Sequence, residues 1–154
     1  MKSAEVIQKK SGSNLYTVFT LSDHFFALEI SHIKEVLNFP AITLLPNKET
    51  HFKGVFNLRG TLVTVIDIRY LLNLEITDNK SPEIVILAQY DEILIGIAVD
   101  QVMDIQKIEE MNIQNPTRKT PSAITGKILG YVEKEKLGKI YLLDLIKLVG
   151  VLNP

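Results

Sequence analysis

The 154-residue sequence predicts a mainly all-β chain, built as two tandem, packed five-stranded β-barrels with short helices at the barrel ends. Three observations predict it. Apolar residues fall in short runs bounded by turn residues, the pattern of strands. Few residues join successive runs, so neighbours can pair antiparallel. The second half also repeats the first. "FALEISHIKEV" (26–36) lies without gaps on "IGIAVDQVMDI" (95–105), and "VTVIDIRYLL" (63–72) on "IYLLDLIKLV" (140–149), aspartate on aspartate. Five short strands closed on themselves lose their exposed edges. A half of ~65–70 residues is marginal for a core of its own, so two packed barrels are the stable arrangement.

In chain order, residues 1–13 are polar and read as a flexible N-terminus, 14–80 as the first barrel and 81–154 as the second. Leu15–Leu21 alternates as a strand, Ser22-Asp23-His24 turns, and 25–30 returns. Ser31 is placed to cap one helical turn over 33–36. Pro40 and Pro46 bracket an extended piece, 41–45, suited to a sheet edge. Residues 52–56 and Thr61–Ile66 are strands, and Asp67 reads as the N-cap of a short helix over 68–74. Asn79-Lys80-Ser81-Pro82 is the linker. A hairpin follows over 83–88 and Ile93–Val99, then a polar surface loop over 109–122. Residues 128–132 and 139–143 are strands. Asp144 then caps a last helix through Val149, which Gly150 stops.

Composition excludes several functions. The chain has no cysteine, which removes disulfides, thiolate zinc sites and a cysteine nucleophile. No apolar run approaches the ~18 residues of a membrane span, and the first ten residues lack a signal peptide's apolar stretch, so a cytoplasmic protein is expected. With 17 basic and 18 acidic residues intermixed, there is no basic stripe for nucleic acid. An OB-like nucleic-acid-binding barrel, the alternative from another class, would need stacking aromatics in a positive groove, whereas the aromatics here are scattered. A ligand-binding or catalytic barrel would need a polar constellation. His24, His32 and His51 read as solvated loop residues without metal-ligand spacing, and no nucleophile elbow or phosphate-binding glycine loop is present. Asp67 and Asp144 stand at repeat-equivalent helix starts, where capping explains them without catalysis. No enzyme activity, metal or cofactor is expected.

One phrase stands out. Between two strands comes Asn57-Leu58-Arg59-Gly60. Gly60 suits a turn needing positive φ, and Asn57 can bond nearby backbone. A turn would accept almost anything at positions 58 and 59. Arg59 is therefore either a solvated charge or a fork-shaped anion reader on a rigid turn.

The stretch "HIKEVLNFPAITLLPNKETHFKGVFNLRGTLVTVIDIRYLLNL" (32–74) resembles the CheW family, the coupling adaptors of bacterial chemotaxis. Lys53-Gly54-Val55, Asn57-Leu58-Arg59-Gly60 and Val65-Ile66-Asp67-Ile68 carry the likeness, and "ILGYVEKEKLGKIYLLDLIKLV" (128–149) is similar to the family's closing strands and helix. The resemblance implies two packed SH3-like barrels, no active site, and two protein partners. These are the regulatory domain of the histidine kinase CheA and the cytoplasmic tip of a methyl-accepting chemoreceptor. It implies recruitment to membrane receptor arrays without insertion. The family also serves as a module within CheA and CheV, but 154 residues leave no room for a kinase region or receiver domain, so a stand-alone adaptor is expected. Glu35 and Arg59 match the family's paired acid and arginine. Lys53 and Gly54 match positions on the first barrel, and Ile33, Val36, Val99 and Val102 match apolar positions in or beside the groove between barrels. The second half carries Glu133-Lys134-Glu135-Lys136 where the first has its Asn-Leu-Arg-Gly turn, so the charged turn is expected only once. A paralogue serving another kinase pathway, such as surface motility, is the alternative within the family.

Overall fold

The computed structural model describes residues 14–46, 49–76 and 81–152, the side chains of the last two excepted. The expected N-terminal segment 1–13 and much of the linker lie outside these residues. Among the described residues there are ten strands: β1 (Leu15–Leu21), β2 (His24–Glu29), β3 (Ile33–Asn38), β4 (Phe52–Leu58), β5 (Thr61–Ile66), β6 (Ile84–Tyr90), β7 (Ile93–Val99), β8 (Gln101–Lys107), β9 (Ile128–Lys134) and β10 (Gly138–Leu143). Helix α1 is Ser122–Thr125 and α2 is Leu145–Leu152, with single 3-10 turns at Ile30–His32 and Glu110–Asn112.

The strands form two five-stranded sheets, in the orders β8-β1-β2-β10-β9 and β3-β6-β7-β5-β4. The two-barrel fold class holds, but the expected boundary at 80/81 does not separate the sheets. Hairpin β1–β2 belongs with β8, β9 and β10 from the other half, and hairpin β6–β7 belongs with β3, β4 and β5. Nor is all pairing antiparallel: β2 meets β10, and β5 meets β7, in parallel. These two parallel contacts are the seams through which each half enters the other's barrel.

The repeat survives this exchange. β1 to β5 correspond in order to β6 to β10, and the two sheet orders map onto each other under that shift. Both barrels close alike. An isolated bridge Thr43↔Val55 joins the segment after β3 to β4, and Gln114↔Tyr131 joins the segment after β8 to β9. A glycine makes each closure possible. A Cβ on Gly54 would stand 2.3 Å from the Thr43 carbonyl oxygen, and one on Gly130 would stand 2.5 Å from that of Gln114.

Strand alternation divides the apolar residues. Tyr16, Val18, Ala27, Val132, Ile140 and Leu142 fill one barrel, and Phe56, Val63, Val65, Val85, Leu87 and Ala98 fill the other. The opposite faces, with Phe19, Phe26, Leu28, Ile66, Ile86, Ile97, Tyr141 and Leu143, join a third and larger core between the sheets.

Several local expectations change. Residues 33–36 are strand, because Ile33, Val36 and their neighbours pair with β6; only the 3-10 turn at Ile30–His32 is helical. Residues 68–74 form successive turns rather than a helix. Residues 109–122 contain a barrel-closing bridge as well as loop. α2 continues through Gly150. His51 is buried beside Phe52, with ring centroids 4.4 Å apart, rather than solvated.

The two aspartates also differ. Asp144 is half-buried and accepts a hydrogen bond from the Lys147 N–H at 3.3 Å, as a cap does. Asp67 is fully buried. It accepts from Arg69 Nε at 2.9 Å and Nη2 at 2.6 Å, and from the Arg69 backbone N–H at 3.1 Å. Lys53 Nζ lies 3.9 Å away. Hydrogen bonding to Asp67 holds the Arg69 guanidinium proton more tightly than usual. Asp67 is therefore the anion of a buried ion pair, which the capping assignment missed.

Asp67→Ala should cost about 3–5 kcal/mol, since it strands a buried guanidinium, whereas Asp144→Ala should cost about 0.5–2 kcal/mol for a lost cap. Urea unfolding of the two variants checks the order; equal losses would return both residues to one role. Gly54→Ala and Gly130→Ala should each cost at least about 1–3 kcal/mol, because the added methyl meets backbone rather than a movable side chain. Thermal melts as stable as the parent's would show that the closures can relax.

Candidate protein-docking surface

The Asn57-Leu58-Arg59-Gly60 phrase is the β4–β5 turn. Arg59 and Gly60 are its two central residues, with φ of 48° and 90°. Two-residue hairpin loops with positive φ at both positions match the twist of the strands they join, and they favour Asn followed by Gly. Asn57 here serves from two residues earlier, its Oδ1 accepting the Gly60 N–H at 2.8 Å. The turn is thus selective where the sequence appeared permissive. A left-handed conformation costs an L-residue roughly 1–2 kcal/mol, and Arg59 bears it.

Its guanidinium is aimed back across the barrel. Arg59 Nη2 lies 2.9 Å from Glu35 Oε2 and 3.1 Å from Oε1. Glu35 is on β3 and Arg59 follows β4, the two edge strands of their sheet, so the pair spans the same seam as the Thr43↔Val55 bridge. The Arg59 side chain is 66% exposed and that of Glu35 34%. An ion pair this wet adds about 0–1 kcal/mol to folding. Its strain and exposure suit recognition better than stability.

The other expected residues divide. Val36 is 44% exposed. Ile33 and Val102 are half-buried at the rim of the central core. Val99 is fully buried within that core and presents no surface to a partner. Leu58 packs into its own barrel, Asn57 and Gly60 shape the turn, Gly54 closes the barrel, and Lys53 faces Asp67.

Sequence reasoning overlooked three apolar side chains. Leu62, opposite Asn57 across the hairpin, is 68% exposed. Ile105 and Met103 on β8 are also exposed, and Ile105 is the repeat partner of Val36. The ungapped alignment of 26–36 on 95–105 contained that signal. Among the described residues, no group of three His, Asp or Glu side chains could hold a metal. No described helix is long and apolar enough to cross a membrane.

Comparison with known proteins agrees with this geometry. The family profile of the CheW-like domain matches residues 15–152. Chemotaxis protein CheW of Bacillus subtilis is 34% identical over 109 residues, which cover 69% of this chain and 67% of that protein. The probable chemotaxis protein CheW of Rhizobium etli is 29% identical, covering 67% and 66%. Protein PilI of Pseudomonas aeruginosa is 30% identical, covering 66% of this chain and 55% of its own length. The crystal structure of scaffolding protein TtCheW from Thermoanaerobacter tengcongensis shares the fold with a TM-score of 0.76, over 85% of this chain and 84% of that one, at 26% identity. Two exchanged barrels, an exposed ion pair on a strained turn and the matched domain converge: this chain belongs to the CheW family of scaffolding adaptors.

Proposed function

We propose that the protein couples the cytoplasmic tip of a methyl-accepting chemoreceptor to the regulatory domain of the histidine kinase CheA, working in the cytoplasm at receptor arrays. The Glu35–Arg59 pair carries this reading. A charge pair of little value to folding, displayed on a turn that strains one of its members, has its use at a partner. Val36 and Leu62 supply exposed apolar contact on the strands beside it. In this division of labour the apolar side chains provide area and the charges fix register and partner choice. No bond is made or broken. Binding receptor and kinase together lets a receptor's conformational shift bias the kinase's population.

Likeness to PilI supports a second reading, a paralogue serving another kinase pathway. The genes beside this one separate the two readings. A pull-down with a CheA regulatory domain and a receptor cytoplasmic fragment tests the first directly. Retention of both supports it, and retention of neither overturns it.

Arg59→Ala should leave the melting temperature nearly unchanged yet weaken binding tenfold or more, since truncating one member of a partly desolvated charge pair costs about 2–5 kcal/mol. Glu35→Ala should behave alike, with losses that do not add if the two act as a unit. Arg59→Asn is the sharper variant. Asparagine tolerates the left-handed conformation better, so stability should hold or rise while binding is lost. Melts and titrations measured side by side decide; an Asn variant that binds normally would remove the guanidinium from recognition.

A further inference from the structure

The repeat places a second, differently furnished site on the other barrel. In both barrels one β-bulge falls at the same step. Lys53 is the extra residue where register shifts between Phe52 and Gly54, and Leu129 is its counterpart before Gly130. Bulges re-aim a side chain. In both barrels an aspartate follows the next strand, its N–H bonded to the residue before the bulged strand, as Asp67 to His51 and Asp144 to Lys127. Two residues beyond each aspartate come Arg69 and Ile146.

In the β3–β7 barrel this constellation is complete. Lys53 and Arg69 bring two cations to Asp67, and the guanidinium meets the carboxylate bidentately. In the barrel of β1, β2 and β8–β10 the cations are replaced by Leu129 and Ile146, 49% and 55% exposed. Among the described residues no cation is paired with Asp144, whose side chain accepts the Lys147 backbone N–H. Asp144 thus holds the place of Asp67, with exposed apolar residues at the two repeat-equivalent positions from which the other barrel supplies its cations.

We infer that Leu129, Asp144 and Ile146 form a docking site for an arginine of a protein partner. Its guanidinium pairs with Asp144, and its aliphatic stem lies on Leu129 and Ile146. Arginine fits better than lysine because its flat fork matches a carboxylate bidentately and its stem covers apolar surface. The site is on the barrel opposite Glu35 and Arg59, so it would let one adaptor hold two proteins at once. It stands independently of which proteins those are.

The test uses the full chain, isotope-labelled, titrated with the peptide acetyl-Leu-Arg-Leu-amide and with its neutral citrulline analogue, following the amide signals of Leu129, Asp144 and Ile146. Saturable shifts at these residues are expected at millimolar peptide, about tenfold weaker for citrulline because a charge-assisted bond is lost. Asp144→Asn should weaken the arginine peptide similarly while remaining folded, since asparagine is also a good N-cap. Ile146→Arg, which rebuilds the Arg69 arrangement, should keep or raise the melting temperature and abolish peptide binding by filling the site. Equal shifts from both peptides, no shifts, shifts confined to other acidic surface, or an Asp144→Asn variant that binds normally would each overturn the assignment.

Discussion

The structure depends on an exchange of hairpins. Each barrel takes two strands from one half of the chain and three from the other, and each exchange is fastened by a parallel pairing, β2 with β10 and β5 with β7. Neither half holds a closed sheet by itself. Long-range pairing must be complete before either barrel interior is sealed, and the entropy of closing such loops is recovered only when both form. The larger core between the sheets follows from the same exchange, because each donated strand carries one face into its host barrel and the other toward the centre. The two barrels are better described as one cooperative body than as two domains on a linker.

That explains what was legible in the sequence. Short apolar runs ending at turn residues gave β1, β5 and β7 to the residue; β1 and β7 are buried on both faces, so they read as continuous apolar stretches. The gapless repeat revealed two equivalent units. It could not reveal partner choice, since β1–β2 presents the same face whether it joins its own half or the other. β3 and β8 escaped as strands because they run along sheet edges, with alternation blurred by exposed residues such as Val36 and Ile105. Asp67 looked like Asp144 because they share a register position. Arg69, two residues on, distinguishes them, and an arginine in an apolar run followed closely by a buried turn was the available signal. The Glu35–Arg59 pair is expected from family resemblance; the left-handed backbone under Arg59 has no signature in the residue type, since arginine rarely adopts it.

Two arginines ten residues apart show how burial decides an ion pair's meaning. Arg69 and Asp67 are almost wholly shielded, so each answers for the other's desolvation, and the pair is bound up with folding. Arg59 and Glu35 sit in water, where attraction is screened and side-chain freedom opposes it. Their geometry is nevertheless well defined, because the strained turn holds one partner and a sheet edge the other. A preorganised pair of low intrinsic value can be rearranged by an incoming protein at small cost, which suits an adaptor that must bind reversibly.

The internal repeat then explains how such a small scaffold presents different faces. The closures, the glycines beneath them and the bulges are common to both barrels, and they set where side chains are aimed. What varies is chemistry at matched positions: Lys53 against Leu129, Arg69 against Ile146, Lys34 against Met103, and the tight Asn57–Gly60 turn against the longer Glu133–Gly138 connection. The substitutions have a direction. One barrel neutralises its aspartate internally and displays a strained arginine at its turn; the other, among the described residues, pairs its aspartate with no cation and carries exposed apolar residues at the matching positions. Duplication of a unit supplies two equivalent places for partners, and a repeat identical at both would bind the same partner twice. Divergence at aimed positions, with the framework kept, lets one fold present two unlike surfaces.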